Sequence, residues 1–471
     1  MSHTVTDAQR KWLPLLAAVG FFMQALDGTI LNTALPSMAE TLGESPLQMQ
    51  SVIIAYMLTV ALLIPASGWL ADRFGTRCIY LTAISLFTLG SLACAASNSL
   101  SMLVAARVLQ GIGGALLMPV GRLAVLRVYD KHELLRVMSF VTIPGLLGPL
   151  MGPALGGWLV EVASWHWVFL INLPVGLLGF IASWHFMPEL RQQTARFDWQ
   201  GFVMFSVGMV LVSVGLQGLG EHSISTGWAL FALIFGLAAM ASYWLYAANA
   251  QQPLFSLNLF KTTTFAIGIW GNLFARLGSG AMPFLTPLFL QLGLGFSPSK
   301  AGMTMIPTVI GAMLTKTLVN KLIPKVGYRR ILIGNTLLLG AMIASFYFID
   351  NQLPYGVLLG WLAIFGAINS LQFSAMNTLT LQDLSPTLAS SGNGLLSVVM
   401  QLSMSLGVAI AASLLGLFSA GTSAGTLVAE GQWLAGFHLT YLCVGLLSML
   451  AALIFAQLAL DGATPSARAD S

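Results

Sequence analysis

Charge is what this sequence is short of. Asp, Glu, Lys and Arg make up 8% of its 471 residues, against about 25% in an ordinary soluble domain. So little polar surface cannot solvate a water-soluble body of this size, and 57% of the residues are apolar. Cysteine is scarce as well. Cys78, Cys94 and Cys443 lie in or beside apolar runs without metal-ligand spacing, so they read as structural thiols. No glycine-rich loop is followed by Lys-Ser or Lys-Thr, which argues against a bound nucleotide and ATP-driven pumping. The six histidines never pair at metal-binding helical spacing, so neither a metal nor another cofactor is expected. A lipid-modifying enzyme within the bilayer would need clustered His, Asp or Ser groups at one membrane face. The chain lacks them, so an enzyme is the remote reading and no catalytic residue is assigned. The net charge of +4 is scattered over the ends of apolar runs rather than gathered into a stripe, which argues against nucleic acid.

What is present is length of apolar run. Beta-barrel spans would show short alternating segments, whereas here runs of about 20 residues follow one another, each enough to cross a bilayer as a helix. They cover 12–35, 47–70, 78–97, 101–124, 137–160, 166–187, 200–219, 227–248, 264–290, 300–320, 329–349, 354–377, 393–418 and 437–460. Fourteen spans put both termini on one side. The first run is longer than a signal-peptide core and is read as a retained span. With the N-terminus inside, sixteen basic residues fall in cytoplasmic segments and only Lys300 in an outer loop. This is the positive-inside bias. No connection is long enough for a soluble domain, so the chemistry belongs within the helices.

An internal repeat is visible at a shift of 252 residues. Leu42-Gly43-Glu44-Ser45-Pro46 returns as Leu294-Gly295-Phe296-Ser297-Pro298, and Leu70, Gly75 and Arg77 fall on Leu322, Gly327 and Arg329. The shift maps spans 1–6 onto spans 9–14 in the same orientation and leaves spans 7 and 8 as an insertion. Paired repeats of this kind mark secondary transporters. The expected organisation is a six-helix bundle over 12–187, inserted spans with their linkers over 188–262, a second six-helix bundle over 263–460, and a short tail over 461–471.

Four stretches carry a resemblance across nearly the whole chain. Span 1 reads Leu26-Asp27-Gly28-Thr29-Ile30-Leu31-Asn32-Thr33-Ala34-Leu35-Pro36. The loop after span 2 reads Gly68-Trp69-Leu70-Ala71-Asp72-Arg73-Phe74-Gly75-Thr76-Arg77. Span 4 has Arg107 followed by Gln110-Gly111-Ile112-Gly113-Gly114, and span 5 has Gly148, Pro149, Gly152, Pro153, Gly156 and Gly157. Together these resemble the fourteen-helix drug:proton antiporter branch of the major facilitator superfamily. The resemblance implies an all-α polytopic fold of two six-helix halves plus two inserted helices. It further implies a proton-coupled exporter of small molecules, drugs or other amphipathic compounds, working by alternating access in a bacterial inner membrane. The expected partners are the substrate, protons and the lipid bilayer, with the chain a monomer.

Each motif also has a reading in its own residues. Glycines in 68–77 permit a tight turn, and Asp72 can face a neighbouring Arg or a helix N-terminus. By resemblance that helix starts near residues 390–394 of the other half, making Gly68, Asp72, Arg73, Gly75 and Arg77 a conformational latch. The plainer alternative is a charged turn that fixes topology. Pro324 stands where Asp72 would repeat, so no second latch is expected. Glycines four apart in span 5 form a smooth strip for close helix contact. That strip either packs statically or, as the resemblance implies, faces the other half and helps to seal the cavity.

Charges inside the spans are Asp27, Arg107, Arg276 and Lys316, and each is costly in hydrocarbon and therefore a functional suspect. Asp27 and Arg107 sit at similar depths, roughly 12 and 9 Å from the outer ends of their helices. A pair between them would be released by protonation of Asp27, or would stand as a permanent bridge. Gln24 shares the Asp27 face, and Gln110 and Met118 share that of Arg107. Arg276 shares a face with Asn272 in span 9. Asn369 and Gln372 on span 12 and Gln401 on span 13 complete the expected cavity lining, while Lys316 is expected to snorkel to the headgroups. Arg276 and Arg107 leave a second cargo open, an anionic metabolite or carboxylate chelate. The tryptophans of Trp165-His166-Trp167 read as interfacial anchors.

Overall fold

A computed structural model describes residues 5–192, 196–221, 225–419 and 430–458; within its helices the side chains of 316–321, among a few others, lie outside the description. The described residues are overwhelmingly helical. Long apolar runs in a bilayer must satisfy their own backbone groups, and the helix does so within each segment.

The first expected run becomes α1 (Asp7–Ile30), followed by a 3-10 turn (Leu31–Thr33) and a short α2 (Leu35–Leu42). A capping box starts α1, in which Thr6 and Gln9 exchange side-chain and backbone bonds. Then come α3 (Gln50–Phe74), α4 (Thr76–Ala95), α5 (Leu100–Val128) and α6 (Lys131–Val162). The sixth run is broken at Ile171 into α7 (Trp167–Leu170) and α8 (Asn172–Phe186). The inserted pair is α9 (Trp199–Glu221) and α10 (Thr226–Asn249). The second bundle comprises α11 (Thr263–Leu288), α12 (Pro298–Val326), α13 (Tyr328–Ala344), α14 (Tyr355–Gln382), α15 (Pro386–Ser419), α16 (Glu430–Leu450) and α17 (Ala452–Phe455). Among the described residues, 13 helices are long and apolar enough to cross a membrane. The tenth expected run falls in α12, which is outside that number and holds the undescribed Lys316 side chain. The expected tail, 461–471, also lies outside the described residues.

The 252-residue shift reappears in the backbone. Among the described residues four glycines have positive φ: Gly43 (69°) with Gly295 (66°), and Gly75 (99°) with Gly327 (86°). L side chains rarely adopt such angles, so the turns that end α2 and α3 are rebuilt in the second bundle with the same residue. Packing repeats as well. The pairs α1–α6, α3–α5 and α4–α8 correspond to α11–α15, α12–α14 and α13–α16. The two bundles meet along α6–α12 and α3–α15, and α9 lies against both α3 and α15.

The apolar core is not evenly shared along the axis. Toward the end of the bundle opposite the start of α1, one cluster crosses both halves, running through Leu26, Leu35, Val52, Leu103, Phe284, Leu290 and Leu362. Toward the other end the core divides. One cluster around Leu13, Tyr80 and Val120 belongs to the first bundle, and one around Leu332, Met376 and Phe455 to the second. Packing therefore joins the halves broadly at the far end of α1, and a further cluster through Ala61, Phe205, Tyr243, Phe265 and Leu395 joins them along the inserted pair.

Candidate functional site

Four glycine contacts bring Asp27 to its partners. Gly148 of α6 lies against α1, where a Cβ would stand 2.6 Å from the Ala25 carbonyl carbon and the Leu26 nitrogen. Gly152 and Gly156 continue the strip against Thr29 and Ile30. On the other side, Gly90 of α4 lies against the Gln110 backbone, where a Cβ would stand 2.5 Å from its Cα. Small residues let these backbones approach, and polar side chains between them then reach one another.

The result is a buried polar cluster across five elements, α1, α3, α4, α5 and α8. Arg107 donates from Nη1 to Asp27 Oδ2 at 2.7 Å and to Gln110 Oε1 at 2.5 Å. Its Nε donates to the Val52 carbonyl at 3.3 Å, and its guanidinium lies 4.2 Å above the Tyr56 ring. Gln110 donates from Nε2 to Asp27 Oδ1 at 2.7 Å and to Ser91 Oγ at 2.8 Å. Asn172, at the first turn of α8, donates to Asp27 Oδ1 at 3.2 Å and Ser91 Oγ at 3.3 Å. Asp27 is 1% exposed and Arg107 2%. Asp27 is the one buried carboxylate among the described residues. Removing one partner from a buried pair costs about 3–5 kcal/mol, because the other charge is left uncompensated. Helical periodicity and rare charges do not single out Asn172, Ser91 or Tyr56. The one signal for them in the sequence is an Asn inside an apolar run, at Ile171-Asn172-Leu173-Pro174.

Arg276 sits elsewhere, in the second bundle, and is also 2% exposed. It donates from Nε to Asn272 Oδ1 at 3.0 Å and from Nη2 to Asn377 Oδ1 at 3.2 Å, with Phe373 3.7 Å beneath it. Asn272 in turn donates to the Gly268 carbonyl and to Thr380 Oγ1. Among the described residues no carboxylate forms an ion pair with it.

The other expected lining residues fare differently. Gln372 turns toward α13, accepting from Asn335 at 2.8 Å and donating to Thr336 at 2.7 Å, a brace between two helices of one bundle. Gln24 and Asn369 each hold a buried amide oxygen without a hydrogen-bond partner. Met118 and Gln401 are half-buried on α5 and α15.

Residues 68–77 are tied to α5, to the end of α8 and to the linker that follows it. Asp72 pairs with Arg127 of α5, and the Asp72 carbonyl accepts from Gln192. Thr76 donates to the Pro188 carbonyl at 2.7 Å, and Arg77 donates to that of Trp184. Arg73 is exposed, and a Cβ on Gly68 would meet open space, whereas Gly75 supplies the turn. At the far end Thr33 donates to the Pro153 carbonyl at 3.2 Å, and Gln291 of the second bundle donates to the Thr33 carbonyl at 3.0 Å. Gly157 lies on the Pro298 carbonyl, and Gly302 on that of Pro153, so α6 and α12 touch backbone to backbone. Pro149 is half-buried inside α6. Trp165 departs from an anchor role: it is 1% exposed and stacks on His166 at 3.8 Å, while Trp167 is 51% exposed. Burial also pushes the His166 imidazole down from its ordinary range.

Repeated bundles, apolar spans and a buried charge cluster define a polytopic membrane transporter. The sequence profile of the Major Facilitator Superfamily matches residues 17–408, and the chain belongs to that family. It is 52% identical to "Putative multidrug resistance protein MdtD" of Pectobacterium carotovorum subsp. carotovorum (strain PC1), over 97% of each chain. It is 50% identical to the protein of that name from Escherichia coli (strain K12 / DH10B), over 96% of this chain and 95% of the relative. The fold matches the crystal structure of a POT family transporter in complex with 5-aminolevulinic acid, with a TM-score of 0.70 at 15% identity. That match covers 94% of this chain and 95% of that one.

Proposed function

We infer that this transporter is a proton-coupled exporter of small amphipathic molecules, working by alternating access as a monomer in a bacterial inner membrane with both termini cytoplasmic. The reading rests on Asp27, a buried carboxylate held by a buried guanidinium inside the spans. A proton bound there neutralises the acid and releases Arg107. The cluster that runs through both halves at the far end of α1 fits a state closed to the outside. In this reading the bundles over 12–187 and 263–460 rock about the central site, with 188–262 as the insertion. Gly148, Gly152, Gly156 and Gly157 serve the moving seal, and the Asp72–Arg127 pair is the resting form of the latch. Gln24, Met118, Asn369 and Gln401 line the substrate path. The relatives named for multidrug resistance support export of drugs as the cargo. The test is proton release from purified protein on adding amphipathic drugs, compared between the native chain and Asp27→Asn.

A second reading of the cargo is favoured by Arg276. A buried guanidinium whose hydrogen-bond acceptors are neutral amides suits an anionic substrate, with Asn272 and Asn377 orienting the fork. A thermal-shift comparison of di- and tricarboxylates with amphipathic cations separates the two. Stabilisation by carboxylates that Arg276→Gln abolishes selects the anion.

A further inference from the structure

The donors around Asp27 suit an ionised carboxylate and leave a bound proton without an acceptor. Oδ2 faces Arg107 Nη1, and Oδ1 faces the amide nitrogens of Gln110 and Asn172. Once protonated, a carboxyl becomes a donor and needs an acceptor within reach. Arg107 cannot serve, because a guanidinium has five N–H donors and no acceptor. Gln110 could reverse its amide only by giving up the 2.5 Å bond from Arg107 to Oε1 and turning Nε2 toward the cation. Ser91 gives its single proton to the Phe87 carbonyl at 2.9 Å, so toward both amides its oxygen accepts.

Asn172 remains. Its amide nitrogen makes the two longest of these contacts, 3.2 and 3.3 Å. A half-turn about the last side-chain bond puts oxygen where nitrogen was, without moving α8. The other titratable side chains facing the pair are Tyr56 from α3 and Cys94 from α4, and α6, α7 and α8 present none at this level among the described residues.

We propose that Asn172 is a positioning residue of the proton site, turning its amide nitrogen to Asp27 when the acid is ionised and its amide oxygen when the acid is protonated. The proposal rests on Asp27 being the coupling acid. One O–H bond forms on Asp27 Oδ1 with a proton from solvent, and no other covalent bond changes. Ser91 completes the exchange by turning its hydroxyl from Phe87 toward the same amide oxygen. Because the amide serves both charge states, it lets Asp27 load and unload without separating the helices.

The experiment is a pH-difference infrared titration of the purified full-length protein. In the native chain a protonated-carboxyl band and a side-chain amide band rise together. Asp27→Asn removes the carboxyl band; its survival there would overturn the coupling-acid reading itself. Asn172→Leu keeps the carboxyl band and loses the amide band; it removes the donor to the ionised acid as well as the acceptor for the protonated one, so the test reads the amide band and not the midpoint. Asn172→Ser, whose hydroxyl can donate or accept, also keeps the carboxyl band and loses the amide band. It carries the test if the leucine variant fails to fold. A native amide band in either Asn172 variant overturns the proposal and leaves the role of Asp27 standing.

Discussion

Asp27→Asn is the substitution that the mechanism depends on. Asparagine keeps the shape and can still accept from Arg107, but it cannot carry a proton. Arg107 is then left in the same buried place, 2% exposed, facing a neutral amide instead of a carboxylate 2.7 Å away. Outright removal of one partner costs about 3–5 kcal/mol. The retained acceptor, the Val52 carbonyl and the Tyr56 ring hold the expected loss to the lower end, about 3 kcal/mol. The functional effect is larger. One proton moving down 100 mV supplies about 2.3 kcal/mol, enough to concentrate an uncharged solute roughly fiftyfold. In proteoliposomes with an imposed potential and pH gradient, the variant should lose all of that accumulation yet still exchange substrate passively. In detergent at pH 7, drug addition should release protons from the native protein and none from the variant. Equal release from both would show that another group carries the coupling, and the mechanism would have to be dropped.

Arg107→Lys keeps the charge but loses the fork that reaches Asp27, Gln110 and the Val52 carbonyl at once, so drug transport should fall partially, by about tenfold. Asp72→Asn removes a partly exposed pair with Arg127, worth about 1 kcal/mol or less. Native melting with impaired turnover is expected, whereas native turnover would reduce residues 68–77 to a topogenic turn. Gly302→Leu drives a side chain into the Pro153 carbonyl and should part α6 from α12. A cysteine placed at Gln24 should then react faster with an impermeant thiol reagent from outside, and an unchanged rate would refute the seal. Cysteines in the loops at Arg127 and Lys325 should resist the same reagent in outer-permeabilised cells, while those near Glu221 and Glu430 react. Labelling at position 127 would overturn the orientation.

Much of this protein is legible in its sequence, because in a membrane local composition decides a great deal. A run such as 47–70 has no polar alternative to a helix once it is in the bilayer, and α3 follows from that alone. The 252-residue shift is likewise written in residue identities, since only glycine fits easily at Gly43, Gly75, Gly295 and Gly327, where φ is positive. The pairing of Asp27 with Arg107 follows from two rare charges at similar depth. Helix interruptions are harder to see. The break at Ile171 is marked only by the Asn172 and Pro174 that follow it, and hydropathy averaged over the run is blind to it.

What tertiary structure alone decided is which neighbour each polar group found. Asp72 had an arginine and a helix start as rival partners, and the fold set it beside Arg127. Gln372 has the spacing of a cavity residue, but α13 packs against its face with Asn335 and Thr336 in reach. Asn172 and Ser91 meet Asp27 only because α4 and α8 converge on α1 and α5; Asn172 stands 145 residues from Asp27 and 81 from Ser91. Sequence periodicity says which residues share a face of one helix. It carries no term for the face that comes to lie opposite, because that choice minimises unsatisfied polar groups and voids over the whole bundle at once.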